Sequence, residues 1–411
     1  MTFKLAKLLA PLAAAAMFAT SALAGTLVIN TDTSDPSPKA AFQKLIDGFK
    51  AKNPGVEVKW NLFDHEGYKS AVRNFLTADP PDIAAWYAGN RMAPFVKAGL
   101  FADVSDVWAA NKLDDSLASA AAAMTIDGKK WGVPYTYYQW GIYYRADLFA
   151  KYSINPPKTW EELITACAKL KENGVTPFAI GTKALWPTAG WFDYLDLRVN
   201  GFDFHMDLAN GKIPYTDPKV KAVFAKWGEL VKPGYFIENH ASYDWQEAAP
   251  LMVQGKAGMY LIGNFAVAVF KDGGLKEDQL GFVQFPSITP GVALAEDAPT
   301  DTLHITAGAK NKEDAKKFLA YLATAEVQSE INATLGQLPI NKNAAKPSDK
   351  FLVAGFAMLS NAKGLAQFFD RDAPADMAKA GMEGFQEFMV KPGNLDAILE
   401  RLEKARARIY K

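Results

Sequence analysis

The amino-acid sequence predicts an α/β protein of two lobes, each a mostly parallel sheet flanked by helices, joined by hinge strands. Strand-like and helix-like segments alternate along most of the chain, which is the pattern of sheets covered by helices. The length of 411 residues is enough for two domains. One strand and one helix, at 302–322, stand between two connectors at 286–299 and 338–341. This arrangement predicts a discontinuous domain that the chain leaves and re-enters.

The first 24 residues have the pattern of an export signal. Lys4 and Lys7 precede an apolar run at 8–19, and Ala22-Leu23-Ala24 is a small-residue cleavage site. We therefore expect a signal peptide cleaved after Ala24, the alternative being a retained membrane anchor. The cleavage site has no cysteine, which excludes a lipid anchor there.

Composition excludes several classes of protein. The formal net charge is +0, and removing residues 1–24 leaves 43 of the 45 basic residues against 45 acidic ones. A chain so balanced does not attract nucleic acids as a whole. The single cysteine, Cys167, cannot form an internal disulfide. Because it shares an apolar helical face with Leu163 and Leu170, we expect a buried, inert thiol rather than a nucleophile.

The first half of the exported chain predicts a βαβαβ unit. Strands are expected at 26–30, 56–63 and 82–86, with helices between them. Ser37 and Pro38 have the pattern of the N-cap and first residue of the first helix. In a parallel sheet the ligand groups lie at the carboxyl ends of the strands, which here precede 32–37, 64–65 and 86–91.

Residues 131–149 mark the change from the first lobe to the second. Their aromatic and β-branched residues predict one central strand at 135–144. Beyond it, Thr159 and Glu162 form a capping box that opens a helix. A loop at 185–191 is expected to carry two tryptophans, strands are expected at 177–181, 257–262 and 302–307, and Asn311 is expected to cap a helix. Crossings between lobes are expected near 133–136, 286–300 and 338–341.

Seven motifs carry a resemblance over the whole exported length. The chain resembles the extracellular sugar-binding proteins of bacterial ABC importers, solute-binding protein family 1, which includes maltose-binding protein. The motifs, in the family's order, are LVINTDTSDPSPKAAFQKLIDGFKAKNPGVEV, PPDIAAWY, DGKKWGVPY, NPPKTWEEL, GKAGMYLIGNF, AKNKEDAKKFLAYLAT and LPINKNAA.

The resemblance implies the two-lobe periplasmic-binding-protein fold and a location in the periplasm. Lobe 1 would comprise 25–134 plus 300–338, and lobe 2 would comprise 135–299 plus 339–411. A sugar would be held in the cleft and delivered to the permease subunits of the ABC transporter in the membrane. We expect no cofactor and a monomer, and we expect hinge closure on the ligand.

A sugar needs planar aromatic surfaces for its C–H face and fixed polar groups for its hydroxyls. The chain has 10 Trp, 15 Tyr and 26 Phe. Each single aromatic is also a candidate for the core. The stacking candidates are Trp86, Trp140, Trp186, Trp191 and Phe265, the last of which the resemblance places where family members more often have tryptophan.

Polar candidates follow the predicted strands. Asp35 either accepts hydrogen bonds from sugar hydroxyls or caps a helix, and His65 either contacts ligand or lies in a solvated loop. Asn90 and Gln139 are further candidates, and the resemblance adds Asn264, Asp301 and Arg371. For Arg371 the alternative is a structural salt bridge with Asp370 or Asp372.

Other chemistries lack their motifs. HExxH, CxxC, GxGxxG, GxxxxGK[ST] and GxSxG are absent, so zinc, nucleotide and serine-hydrolase sites are not expected. We expect a binding protein rather than an enzyme. Two alternatives stay open: an exported carbohydrate enzyme using Asp193 with Asp196 or Asp370 with Asp372, and a binder of peptides, polyamines or metals.

Overall fold

The structure, a computed structural model, describes residues 25–411. The predicted signal peptide and its cleavage site lie outside these residues. Residues 25–137 form β1 (Leu27–Thr31), α1 (Pro36–Lys52), β2 (Val58–Leu62), α2 (His65–Ala78), β3 (Ile83–Tyr87), α3 (Ala93–Lys97), α4 (Ser105–Ala110), α5 (Leu113–Ser116), α6 (Ala118–Ala121), β4 (Thr125–Ile126), β5 (Lys129–Lys130) and β6 (Val133–Tyr137).

The middle and last parts of the chain follow. Residues 138–298 form β7 (Trp140–Arg145), α7 (Ala146–Lys151), α8 (Trp160–Glu172), β8 (Thr176–Ala179), α9 (Trp186–Val199), α10 (Phe202–Ala209), α11 (Pro218–Val231), α12 (Trp245–Val253), β9 (Ala257–Gly263), α13 (Ala266–Asp272), β10 (Leu280–Val283) and β11 (Glu296–Asp297). Residues 299–411 form β12 (Thr300–Ile305), α14 (Lys312–Leu322), α15 (Ala325–Leu335), α16 (Lys350–Ser360), β13 (Leu365–Ala366), α17 (Phe369–Asp372), α18 (Ala375–Val390) and α19 (Leu395–Ile409).

The first sheet has the strand order β2-β1-β3-β12-β6. β1 pairs in parallel with both β2 and β3, which confirms the βαβαβ prediction. β12 returns from late in the chain and lies antiparallel between β3 and β6. Because β1, β2 and β3 run the same way, the residues that follow them meet at one edge of the sheet.

The second sheet, β10-β7-β9-β8, differs from the mostly parallel pattern. Only β8 and β9 pair in parallel, whereas β7 is antiparallel to both β9 and β10. The capping box of Thr159 and Glu162 opens α8 as predicted. Asn311 likewise caps α14.

The predicted single strand at 135–144 is two strands. β6 belongs to the first sheet and β7 to the second, so Tyr138 and Gln139 cross between them. The prediction of one strand was wrong because sequence periodicity does not show that the two halves find different partners. Tyr137 and Leu338 exchange two backbone hydrogen bonds of 3.0 and 2.9 Å, which joins two of the connections.

Two hydrophobic cores are separate. One draws its buried residues from 27–135 and 303–340, and the other from 138–285 and 351–402. A small cluster containing Ala298, Leu338 and Leu359 lies where the connections pass. The lobe boundaries inferred from the sequence stay a prediction.

Two further features of residues 25–411 concern the cysteine and the character of the helices. Cys167 is fully buried in the second core, and burial raises the pKa of its thiol. Within these residues no helix combines the length and the apolar character needed to cross a bilayer.

His304 on β12 predicts an acid-sensitive first lobe. Its Nδ1 lies 2.6 Å from the Trp131 carbonyl, which can only accept, so Nδ1 carries the proton and Nε2 accepts from the Thr302 hydroxyl at 2.6 Å. Burial lowers the pKa of His304 from 6.5 to about 4. The unfolded chain therefore binds the extra proton between these two values, and stability falls as the pH falls from about 6.5 to about 4.

The expected loss is up to about 3 kcal/mol, from about 1.36 kcal/mol per pKa unit. Urea unfolding at several pH values should show that the stability difference between the wild type and His304→Gln shrinks by that amount from pH 7 to pH 4. A difference that does not change with pH would contradict this role for His304.

Candidate functional site

A cavity of about 140 Å³ lies between the two lobes. On one side it is bounded by residues that follow β1 and β2 and by the last residues of β3. On the other side it is bounded by residues from β7, α9, α12 and α17 and the residue before α17. Eight of the twelve predicted site residues line it: Asp35, His65, Trp86, Trp140, Trp186, Phe265, Asp301 and Arg371.

The wall contributed by the first lobe includes a hydrogen-bonded polar group near the ring of Trp86. His65 Nδ1 lies 2.8 Å from Asp32 Oδ2, and the Tyr87 hydroxyl donates to the same oxygen at 3.1 Å. Burial alone would raise the pKa of Asp32, but the hydrogen bond and charge of His65 and the hydrogen bond from Tyr87 lower it. Asp32 is therefore held as a carboxylate that accepts hydrogen bonds.

Asp35, and not Ser37, is the N-cap residue of α1, and Pro36 lies in the first turn. The predicted cap was displaced by two residues because both positions combine a capping side chain with a following proline. The Asp35 side chain makes no capping hydrogen bond. It lines the cavity instead, and burial raises its pKa, with partial offset from the charge of His65 and from Gln246 of the opposite lobe.

Arg371 is the central cation of the site. Nη1 donates to the Thr300 carbonyl at 2.9 Å and lies 3.0 Å from Asp301 Oδ1, while Nη2 donates to the Tyr138 hydroxyl at 3.1 Å. The guanidinium carbon lies 4.2 Å from the centre of the Tyr87 ring. The salt-bridge partner is thus Asp301, rather than the neighbouring Asp370 or Asp372.

Arg371 and its neighbours join the two lobes. The guanidinium comes from α17, whose Phe369 belongs to the second core, whereas Thr300 and Asp301 begin β12 of the first sheet. Close by, Arg91 Nη2 lies 3.8 Å from Asp370 Oδ2. Burial alone would raise the pKa of Asp370, but the charges of Arg91, Lys69 and Arg371 lower it.

The wall contributed by the second lobe is aromatic. Trp140 packs against Phe368 with ring centres 4.8 Å apart, and Trp245 meets Phe265 edge to face at 5.1 Å. Trp186 contacts this group and donates its indole N–H to Glu66 of the first lobe at 3.0 Å. The indole N–H of Trp140 is buried and makes no hydrogen bond among the described residues.

Four predicted residues do not line the cavity. Trp191 packs edge to face on Phe178 and Phe236 inside the second core. The predicted loop that carries it is α9, so Trp186 and Trp191 are about 140° apart around one helix and only Trp186 faces the cavity.

The other three serve the hinge and the lobe contact. The Gln139 amide donates to Asn264 Oδ1 at 2.9 Å and to the Phe351 carbonyl at 3.0 Å. Asn264 also accepts from the Tyr143 hydroxyl at 2.6 Å and donates to the Gly336 carbonyl. Asn90 donates to the Asp372 carbonyl, so it holds the lobes together beside the cavity.

Several lining residues were not among the sequence candidates. Asp32 and Tyr87 lie within the predicted segments 32–37 and 86–91, and Asp370 adjoins Arg371, but none of the three was chosen as a ligand residue. Trp245 has no such signal, because it begins a helix whose position opposite β1 depends on tertiary packing. The lining residues outside the predicted set include Asp32, Lys69, Tyr87, Tyr138, Trp245, Phe368 and Asp370.

No group of three or more His, Cys, Asp or Glu among residues 25–411 is arranged to hold a metal ion. Two α/β lobes are joined by adjacent connections, and the cavity between them is lined by groups of both lobes. This arrangement is that of a two-lobe solute-binding protein. The sequence agrees: residues 33–329 match the family described as bacterial extracellular solute-binding protein. The chain belongs to this family and is the solute-binding component of an ABC transporter.

Individual relatives are consistent with this assignment. The chain is 32% identical over 323 residues to an ABC transporter extracellular-binding protein of Pyrococcus horikoshii, covering 76% of this chain and 70% of the relative. It is 25% identical to the multiple sugar-binding protein of Streptococcus mutans, covering 70% and 68%. The crystal structure of the bacterial solute receptor AcbH, described as having an exclusive preference for β-D-galactopyranose, superposes with a TM-score of 0.87 at 30% identity, covering 94% and 99%.

Proposed function

We propose that this protein captures a sugar in the cavity between its lobes and delivers it, chemically unchanged, to the membrane permease of its transporter. The observation that carries the proposal is the opposition of two walls. Carboxylates and hydroxyls, most of them from the first lobe, face the rings of Trp140, Trp186, Trp245 and Phe265 of the second lobe. A pyranose has hydroxyls at its rim and C–H groups on its faces, so it satisfies both walls at once.

The relatives support the same ligand class. AcbH at 30% identity takes a galactopyranose, and the Streptococcus mutans relative is a multiple sugar-binding protein. We propose that the predicted residues that line the cavity bind the sugar: Asp35, His65, Trp86, Trp140, Trp186, Phe265, Asp301 and Arg371. We propose that Asn90, Gln139 and Asn264 support the lobe contact and the hinge. The exported chain would act as a monomer in the periplasm, closing between lobes at 25–134 plus 300–338 and 135–299 plus 339–411.

The carboxylates offered for the enzyme alternative have other partners. Asp193 and Asp196 are fully buried and do not line the cavity. Asp193 Oδ2 accepts from the Phe369 backbone N–H at 2.7 Å, and Asp372 Oδ2 accepts from the N–H of Gln367 at 2.8 Å. These carboxylates position the segment before α17, which favours binding over acid–base catalysis.

A sugar panel tests the proposal. The exported chain, stripped of bound ligand, should be stabilised by at least one neutral saccharide, by about 2.7 kcal/mol at 100 times its dissociation constant. Thermal unfolding and calorimetry measure this, and chromatography of the incubated sugar should show no product. Stabilisation by no saccharide, or turnover of the bound one, would refute the proposal.

A further inference from the structure

We infer that the cavity accepts a sugar of one ring without an acidic group and excludes sugar acids, and that Asp35 and Asp301 set this selectivity. This inference rests on the proposed function of sugar capture. The sequence left the charge and the size of the ligand open.

The charges of the lining favour a ligand without negative charge. Four lining side chains are carboxylates: Asp32, Asp35, Asp301 and Asp370. Two lining side chains, Arg371 and Lys69, are strong bases. Both have acidic partners: Arg371 pairs with Asp301 at 3.0 Å, and Lys69 pairs with Glu66 at 3.6 Å. A ligand carboxylate would therefore enter a wall that already has an excess of negative charge, and it would have to compete for these cations.

Asp301 keeps an acceptor available despite its ion pair. Arg371 Nη1 lies 3.0 Å from Asp301 Oδ1 and also donates to the Thr300 carbonyl, so this cation engages one of the two carboxylate oxygens. A carboxylate has about four acceptor positions, so Asp301 can also accept from a sugar hydroxyl placed in the cavity that it lines. A ligand carboxylate brings no donor and adds repulsion.

Asp35 is a second carboxylate of the first lobe that can accept from a sugar hydroxyl. It occupies a helix N-cap without capping the helix, and its carboxylate faces the cavity. The start of a helix usually attracts anions through its free N–H groups. In α1 the residues Pro36 and Pro38 have no N–H, so this helix start offers fewer donors to an anion and presents Asp35 instead.

The volume of the cavity matches a ligand of about one ring. A water-sized guest needs about 10–15 Å³ of such volume, so 140 Å³ holds roughly ten of them. That is the scale of a single pyranose with its hydroxyls. Trp186, which lines the cavity, donates to Glu66 of the first lobe at 3.0 Å, so a direct contact between the lobes lies beside the cavity.

Calorimetry with matched pairs tests the inference: D-glucose against D-glucuronate and D-galactose against D-galacturonate, at pH 8 and fixed low salt. We expect the hexose that binds to be favoured over its uronate by roughly 100-fold or more. A uronate bound as tightly as its hexose would overturn the inference while leaving sugar capture intact. Binding of neither sugars nor sugar acids of the wider panel would instead overturn the proposed function, and the inference with it.

Asp35→Asn isolates the charge while keeping the shape of the side chain. The ratio of the affinity for the hexose to the affinity for its uronate should fall at least roughly tenfold in this variant, since one repulsive charge is gone. Asp47→Asn is the matched control, because it lies exposed on the same helix and changes the net charge equally. An unchanged ratio in Asp35→Asn, or an equal fall in both variants, would overturn the role given to Asp35.

Discussion

Replacing Arg371 with leucine is expected to weaken sugar binding by roughly 100-fold or more and to destabilise the unliganded protein by about 3–5 kcal/mol. The guanidinium joins Asp301, the Thr300 carbonyl and the Tyr138 hydroxyl, and it stacks on Tyr87. Removing it leaves the partly buried carboxylate of Asp301 without its cation. The largest loss is expected in the closed form, because the ion pair links α17 to the first sheet.

Two matched variants separate charge from geometry. Arg371→Lys keeps the charge but loses the planar fork and the stacking on Tyr87, so it should retain more stability than affinity. The double variant Arg371→Leu/Asp301→Asn removes both charges and should recover stability relative to Arg371→Leu without recovering affinity. Calorimetry and urea unfolding measure the two quantities. Binding by Arg371→Leu within threefold of the wild type would contradict the central role of this side chain.

The first lobe was predictable because its signals are local. In α1 the buried Phe42, Leu45 and Phe49 recur at helical spacing between two strands, and this pattern fixes a βαβ unit. The edge where its strands end then follows from parallel pairing alone. For this reason Asp35, His65 and Trp86 were found from the sequence.

The second lobe was less predictable because its site depends on long-range contacts. Which tryptophan of α9 lines the cavity depends on the helix register, and the sequence at 185–191 indicated a loop. Gln139 and Asn264 are polar residues inside buried segments, a pattern that predicts either a ligand or a partner. The structure shows that they partner each other, a fact that requires both strands and α16 in place.

The second large effect is expected in the variant Arg198→Met, which should lose stability but keep its affinity for sugar. Arg198 lies in the second lobe with its side chain fully buried, and its Nη2 donates to Glu296 Oε1 at 2.6 Å. Its Nε donates to the Phe285 carbonyl at 3.1 Å. Breaking a buried pair by removing one partner costs about 3–5 kcal/mol, because the other charge stays buried.

Protonation of Glu296 is expected to limit the loss of stability in Arg198→Met. Burial raises the pKa of Glu296 and the charge of Arg198 partly offsets the rise, so without Arg198 the carboxyl is expected to take up a proton. Arg198→Met/Glu296→Gln should therefore recover part of the lost stability. Lys221→Met breaks an exposed pair with Asp396 and should cost less than about 1 kcal/mol. Because Arg198 does not line the cavity, its variant should bind sugar within threefold of the wild type. A cost as small as that of Lys221→Met would show that the buried pair contributes little to the second core.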